Sequence, residues 1–206
     1  MIISFDGNVF TGKTSVIKKL SERCDFNYIP EHSDFLDKII YEKISDNHSI
    51  NEQLRYIKID SLRQGLIAKS VNLLDRSFLS MSAHVYALLE TGKMDIRKWY
   101  IDKLQEYLDS GKIIIPDKYV YATCDYGVIK RRFDNDTAKG TNDIYVEKEY
   151  FNSIDKFNKI VLKKLPSFNV DTEVDVDYSR IVDFISKEQG KVRKDDIAKI
   201  LIDIMM

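Results

Sequence analysis

Residues 1–20 read MIISFDGNVFTGKTSVIKKL, and this stretch decides the fold. Gly7 to Thr14 matches the phosphate-binding loop pattern Gly-x-x-x-x-Gly-Lys-[Ser/Thr]. The loop follows an apolar run, residues 1–5, that predicts a buried strand, and it precedes residues 15–20, whose apolar spacing predicts a helix. Strand, glycine loop and helix are the context in which this motif binds nucleotide phosphates, so the sequence predicts a nucleotide site.

Each part of the loop has a predicted task. Gly7 and Gly12 allow backbone turns that a side chain would block, so that N–H groups and the helix start converge on the phosphates. Lys13, expected to face solvent, would reach the β- and γ-phosphates, and the Thr14 hydroxyl would bind Mg²⁺. The predicted ATP-binding residues are Gly7, Asn8, Val9, Phe10, Thr11, Gly12, Lys13 and Thr14.

The composition narrows the class of protein. A chain of 206 residues fits one domain, 1–206, with a substantial core. Lys and Arg total 32 against 33 for Asp and Glu, so we expect no nucleic-acid or anionic-membrane partner. Cys24 and Cys124 lie far apart in sequence and form no metal-type cluster, which favours a reducing compartment. The least charged stretch of the chain, residues 77–89, is too short to cross a bilayer. With no room for a secretory signal before the first strand, we expect a soluble, cytoplasmic protein. The sequence leaves open whether the protein forms a homodimer.

Short apolar runs alternate with helical patterns along the chain. This alternation predicts an α/β fold in which a parallel β-sheet is sandwiched between helices. Besides the first strand, strands are predicted at 26–29, 71–75, 118–124 and 168–170. Helices are predicted at 51–68, opened by a Ser49–Glu52 capping box, and at 80–89, 95–108, 149–165, 177–185 and 196–206. The polar segment 131–148 is predicted to be a mobile loop.

Residues outside the loop separate kinases from hydrolases and switches. Asp75, which ends an internal strand, is followed by Arg76-Ser77, whereas remodelling ATPases typically place a glutamate there. No glycine stands three residues after an aspartate, so the phosphate sensor expected of a GTPase is missing. The base-reading sequences Asn-Lys-x-Asp and Thr-Lys-x-Asp are also missing, and a GTPase is therefore disfavoured. Pro30-Glu31 closes the second strand, at the sheet edge where open α/β folds bind ligands.

Together these motifs resemble the deoxynucleoside kinase and thymidylate kinase group of phosphate-loop kinases. Asp6-Gly7-Asn8-Val9 is similar to the Glu-Gly-Asn-Ile opening of deoxynucleoside kinases, and Pro30-Glu31 resembles their Glu-Pro signature. Asp75-Arg76-Ser77 stands where these kinases carry Glu-Arg-Ser and thymidylate kinases carry Asp-Arg-Tyr. Lys130-Arg131-Arg132 falls where the group has its arginine-bearing lid, which makes 131–148 the predicted lid. His32 departs from the pattern, since the group has proline there.

The resemblance implies a role for each matched side chain. Glu31 would act as base on the acceptor hydroxyl, and Asp75 would hold Mg²⁺ through water. Arg76 would clamp the acceptor or the transferring phosphoryl group, with a salt bridge to Glu31 or Asp75 as its competing role. Arg131 and Arg132 would close over the donor phosphates. The residue that reads the base cannot be mapped, and the candidates on the 51–68 helix are Arg55, Arg63 and Gln64.

The predicted function is an ATP- and Mg²⁺-dependent kinase that phosphorylates a small-molecule acceptor, a deoxynucleoside first and thymidylate second. Two alternatives stay open: a phosphate-loop kinase for another small metabolite, and a regulatory module that binds ATP and transfers nothing. The combination of Glu31, Asp75 and Arg76 favours an enzyme, because a sensor needs no base for an acceptor.

Overall fold

The computed structural model describes residues 1–136, 143–188 and 192–206. These residues contain a five-stranded sheet with the order β2-β3-β1-β4-β5, and every pairing in it is parallel. The strands are β1 (Ile2–Asp6), β2 (Asn27–Ile29), β3 (Asn72–Asp75), β4 (Lys118–Thr123) and β5 (Ser167–Asp171). The predicted parallel sheet is confirmed. Its central strand, β1, leads directly into the phosphate loop, so the loop lies at the carboxyl edge between β3 and β4.

Helices connect the strands. They are α1 (Lys13–Cys24), α2 (His48–Gln64), α3 (Phe78–Glu90), α4 (Arg97–Asp109), α5 (Tyr126–Asp134), α6 (Lys148–Leu162), α7 (Tyr178–Ser186) and α8 (Lys194–Met205). Shorter 3-10 helices span His32–Lys38 and Asp143–Val146. Across ranges 1–136, 143–188 and 192–206, no helix combines the length and the apolar character needed to span a membrane.

Both faces of the sheet are covered. Because side chains alternate along a strand, Val120 packs with α1 and α7 on one face, whereas Tyr119 and Tyr121 join the larger core on the other. That larger core contains buried side chains of α2, α3, α4, α6 and α8. Burial on both faces is typical of parallel sheets, and the predicted sandwich of helices around the sheet is confirmed.

Several predicted helix boundaries were wrong, among them the end of the 51–68 helix, because α2 ends at Gln64. Helix α2 begins at His48 because the Asn47 side chain caps it, accepting hydrogen bonds from the backbone N–H groups of Ser49 (3.0 Å) and Ile50 (3.4 Å). Likewise, residues 131–134 belong to α5 and not to a loop. This helix is capped by the Asp125 carboxylate, which accepts from Gly127 N at 2.7 Å. Residues 137–142 of the predicted lid lie outside the described residues.

Candidate active site

The phosphate loop has the backbone that its glycines predict. Gly7 has φ 139°, and a Cβ there would lie 2.3 Å from the carbonyl oxygen of Ala122, so only glycine fits. Gly12 has φ 81° and precedes α1, whose first turn has no side-chain cap. The N–H groups of that turn are therefore directed at the space that phosphates would occupy.

Lys13 differs from its prediction, because it is buried and not solvent-facing. Its ammonium group turns back on the loop, donating to the carbonyl oxygens of Asn8 (2.5 Å) and Gly7 (3.3 Å) and to Thr11 Oγ1 (3.2 Å). Burial, reinforced by the charge of Arg76, lowers the pKa of Lys13 to about 7. The lysine thus supports the loop from inside, in addition to its predicted role toward phosphates.

Thr14 and Asp75 meet at the end of β3. The Thr14 hydroxyl donates to Asp75 Oδ2 at 2.6 Å, while Asp75 Oδ1 is buried and has no hydrogen-bond partner among the residues that the structure describes. A buried carboxylate oxygen without a partner is costly unless a cation or water satisfies it. Hard oxygen donors suit Mg²⁺, so this pair fits the metal that the motif implies.

The candidate base and its predicted arginine are paired. Arg76 Nε donates to Glu31 Oε2 at 2.9 Å, and Arg76 Nη1 donates to the carbonyl oxygen of Gly7 at 3.1 Å. The Ser33 hydroxyl donates to the other oxygen of Glu31 at 2.7 Å. Burial acts to raise the pKa of Glu31, but the charge of Arg76 and the hydrogen bonds from Ser33 and Arg76 outweigh it and lower this pKa to about 2. Glu31 is therefore a carboxylate throughout the neutral pH range.

Asp6 binds the same region from the other side of the loop. Its carboxylate accepts from the Ser77 backbone N–H (3.0 Å) and from the hydroxyls of Ser77 (2.9 Å) and Ser80 (2.7 Å). This residue is fully buried, and these hydrogen bonds connect the end of β1 to the start of α3.

A cavity of about 640 Å³ opens beside the Glu31–Arg76 pair, with α2, α3 and α6 as its walls. Among the described residues, Arg76 is the one Lys or Arg side chain that lines it, whereas Glu31 and Glu52 contribute two carboxylates. Gln53 also lines the cavity; it is buried, and within the described part of the chain its Oε1 has no hydrogen-bond partner. Further lining residues are Tyr56 on α2, Met81 and His84 on α3, and Tyr145, Tyr150 and Asn158 from the segment 143–162.

The predicted base readers lie elsewhere: none of the three lines the cavity, so all three interpretations need correction. Arg63 is fully buried and donates to protein atoms, so it has no access to the cavity. Gln64 donates to the carbonyl oxygen of Gly111 at 2.9 Å, away from the cavity. Arg55 does not line the cavity either: its guanidinium donates to the Leu36 carbonyl oxygen. The side chain that α2 presents to the cavity at a buried position is Gln53.

The two predicted lid arginines occupy different environments. Arg132 reaches the phosphate loop, where its Nη1 donates to the Phe10 carbonyl oxygen at 2.7 Å. It also lines a second cavity, of about 840 Å³, that extends from Gly12 along α1 to Tyr178. Arg131 is exposed and does not line this cavity. Of the two, Arg132 is the one placed to contact a nucleotide on the loop.

The comparison with protein families decides between the alternatives left open by the sequence. The family model described as deoxynucleoside kinase matches residues 3–202. This chain belongs to the deoxynucleoside kinase family. The predicted family and enzyme class, a phosphate-loop nucleoside kinase that uses ATP, are thereby confirmed. No curated protein sequence matches the chain.

Solved structures show the same fold as this deoxynucleoside kinase. Deoxyadenosine kinase from M. mycoides with bound dATP superimposes with a TM-score of 0.65 at 15% identity, covering 91% of this chain and 100% of that one. The same enzyme with the products dCMP and a flexible dCDP superimposes with a TM-score of 0.64 at 16% identity, covering 90% of this chain and 98% of that one. With bound dCTP, that enzyme superimposes with a TM-score of 0.63 at 16% identity and with the same coverage of both chains.

The cavity of this deoxynucleoside kinase contains residues that the sequence analysis missed. Burial lowers the pKa of His84 to about 4, so its imidazole is neutral, and Nδ1 is hydrogen-bonded to the Tyr150 hydroxyl. Tyr145 packs against both rings, with centroids 6.0 Å and 5.6 Å away. In sequence, His84 and Tyr150 are ordinary helix-face residues and Tyr145 falls in the predicted loop, and only the approach of α6 and the 3-10 helix Asp143–Val146 to α3 makes them one wall.

Proposed function

We propose that this chain transfers the γ-phosphate of ATP to a hydroxyl of a neutral deoxynucleoside held in the cavity between α2, α3 and α6. The observation that carries the proposal is the charge of that cavity beside the phosphate loop. A phosphate monoester carries about −1.5 to −2 charges near pH 7. Arg76 is already paired with Glu31, and Glu52 adds a second negative charge, so the described lining favours an uncharged acceptor over a nucleoside monophosphate.

The proposed transfer relies on positioning and charge neutralisation more than on covalent help. Glu31 would orient the acceptor hydroxyl and take its proton, since it is ionised and lines the cavity. Arg76 lies between the Gly7 carbonyl group and Glu31, where it would neutralise charge on the phosphoryl group. Lys13 and Arg132 would hold the donor phosphates from the loop side. Thr14 and Asp75 would hold Mg²⁺, which supplies further neutralisation of the phosphate oxygens when bound.

We further propose that Gln53 contacts the nucleobase. A primary amide presents a donor and an acceptor side by side, which matches the edge of a base. A buried amide oxygen without a partner is expected to gain one when the ligand binds. Gln53→Leu should therefore weaken nucleoside binding and reduce the difference in affinity among the common deoxynucleosides.

A ligand panel tests the choice of acceptor. Thermal unfolding would be followed with a non-hydrolysable ATP analogue, Mg²⁺ and each common deoxynucleoside or its monophosphate. A ligand at 100 times its Kd stabilises a folded protein by about 2.7 kcal/mol, a shift that is easily measured. We expect at least one deoxynucleoside to stabilise the protein more than its own monophosphate does. Stabilisation by monophosphates alone would reverse the proposal in favour of a thymidylate-type kinase.

The cellular setting remains a prediction. Cys24 and Cys124 are both free thiols, which agrees with a reducing cytoplasm.

A homodimer is also a prediction. Light scattering of the purified protein decides it, with a mass near twice 24.1 kDa expected for the dimer.

A further inference from the structure

A buried polar cluster adjoins the acceptor cavity, which His32 helps to line, and it has no role in the mechanism above. It consists of Asp60 and Arg63 on α2, both fully buried, and of His32, which follows the candidate base Glu31. Arg63 Nη1 lies 3.0 Å from Asp60 Oδ1 and 3.0 Å from His32 Nε2, and the same two His32 and Asp60 atoms are 3.0 Å apart. Charged side chains are rarely fully buried without partners, so this cluster needs an explanation.

The rest of the Arg63 guanidinium binds the backbone of the active site. Its Nε donates to the carbonyl oxygen of Pro30 at 3.0 Å, and its Nη2 donates to those of Asp75 (2.7 Å) and Arg76 (3.0 Å). Pro30 immediately precedes Glu31. One rigid, planar group therefore connects the segments that present the candidate base, the metal carboxylate and the phosphoryl clamp.

The backbone at Arg76 shows why such a connection matters. Arg76 has φ 63°, a left-handed conformation that is unfavourable for a residue with a Cβ. This conformation accompanies the contacts of the Arg76 side chain with Gly7 and Glu31. Strained residues persist when the surrounding structure holds them in place, and here Arg63 binds the carbonyl groups on both sides of the turn.

Asp60 and His32 in turn fix Arg63. Burial acts to raise the pKa of Asp60, but the hydrogen bond from His32 and the charge of Arg63 lower it overall, so Asp60 stays ionised. Burial and the charge of Arg63 both lower the pKa of His32, so its ring is neutral. The cluster thus holds one anion directly against one cation, with the neutral His32 ring in contact with both.

We propose that Arg63 is a positioning residue for phosphoryl transfer: by binding the carbonyl groups of Pro30, Asp75 and Arg76 it sets the relative placement of Glu31, Asp75 and the Arg76 side chain. This inference rests on the proposed function. Misplacing reacting groups by about 1 Å can cost about 10²-fold in rate, so removing this connection should lower kcat more than it raises KM.

Lys118 offers a matched control. It is also a buried cation, and its ammonium group donates to three backbone carbonyl oxygens, those of Phe184 (2.8 Å), Ile185 (2.7 Å) and Lys187. It opens β4, however, and so lies at the amino edge of the sheet, opposite the phosphate loop. Lys118→Met therefore removes a comparable buried cation without touching the site.

The test compares Arg63→Lys, Arg63→Met and Lys118→Met with wild type in Tm, kcat and KM, using the deoxynucleoside that wild type phosphorylates fastest. Arg63→Lys keeps the charge beside Asp60, but one ammonium group cannot reproduce the fork across three carbonyl groups. We expect kcat of both Arg63 variants to fall by about 10²-fold with KM for ATP within a few-fold of wild type. Lys118→Met should lower Tm and leave kcat within about twofold of wild type. Folded Arg63 variants that retain wild-type kcat, or an equal loss of kcat in Lys118→Met, would overturn the proposal.

A crystal structure of Arg63→Lys provides a readout that does not depend on catalysis. We expect the Arg76 φ to leave the left-handed region and the 2.9 Å contact between Arg76 Nε and Glu31 to be lost. If both are retained, the positioning role is wrong. If wild type phosphorylates no deoxynucleoside, the proposed function fails, and this structure still decides whether Arg63 sets the geometry.

Discussion

The replacement Glu31→Gln separates a catalytic role of this carboxylate from a structural one. In the structure Glu31 pairs with Arg76 at 2.9 Å, and its side chain is 34% exposed. Ion pairs with this exposure contribute about 0.2–1 kcal/mol, so we expect the free energy of unfolding to change by no more than about 1 kcal/mol. Loss of a general base lowers kcat by about 10²–10⁴, or about 2.7–5.4 kcal/mol in activation free energy. The catalytic effect should therefore exceed the structural effect.

The assay measures kcat on the preferred deoxynucleoside, MgATP affinity by calorimetry, and stability by urea unfolding. Glu42→Gln is the matched control, because Glu42 pairs with Lys58 at 2.7 Å and does not line the acceptor cavity. We expect near-normal MgATP binding in both variants and loss of turnover in Glu31→Gln alone. Turnover of Glu31→Gln within a few-fold of wild type would reduce Glu31 to a structural residue.

The pKa of Glu31 adds a pH test. Despite the opposing effect of burial, Arg76 and Ser33 lower this pKa to about 2, below its ordinary value of 4.5. Between those values the unfolded chain binds more protons, so the stabilisation that Glu31 supplies above pH 4.5 is lost as the pH falls toward 2. We expect the difference in stability between wild type and Glu31→Gln to be smaller at pH 3 than at pH 7. A difference that stays constant would contradict the depressed pKa.

Three further variants test the donor site. Lys13→Ala should weaken MgATP binding by about 10²-fold, because charge-assisted hydrogen bonds contribute about 1.5–3 kcal/mol each; unchanged binding by calorimetry would remove the phosphate-loop assignment. Asp75→Asn should raise the Mg²⁺ concentration for half-maximal activity by about 10- to 100-fold, and an unchanged Mg²⁺ titration would exclude Asp75 from the metal site. Arg132→Ala should raise KM for ATP by about 10-fold or more, whereas Arg131→Ala, which alters an exposed side chain, should not. Equal effects of the two would refute the distinction between them.

The elements nearest the phosphate loop could be predicted from the sequence because their signals are local. The first strand, predicted at residues 1–5 and observed at 2–6, the turns at Gly7 and Gly12 and the carboxylate ending β3 each follow from a few adjacent residues. The parallel sheet follows from the alternation of strands and helices, whose boundaries depend mainly on caps and turns. Even there Asn47 was missed, because Ser49 and Glu52 fit the capping-box pattern equally well.

The walls of the acceptor cavity could not be predicted, because they depend on which surface of α2 meets its neighbours. Gln53 and Gln64 lie eleven positions apart, so they share a face of the helix but are separated by about 16 Å along its axis. Only the packed structure shows that the end carrying Gln53 borders the cavity. Arg63 is a similar case: its burial follows from the way the segment after β2 folds over α2, which no local pattern records.

The central claim is that a neutral deoxynucleoside is the acceptor. The most direct measurement incubates the purified protein and MgATP with each common deoxynucleoside and, separately, with its monophosphate, and quantifies the products by ³¹P NMR and chromatography. We predict conversion of at least one deoxynucleoside to its monophosphate, with kcat/KM higher than for the corresponding monophosphate acceptor. Product from monophosphates alone, or from neither set, would contradict the account.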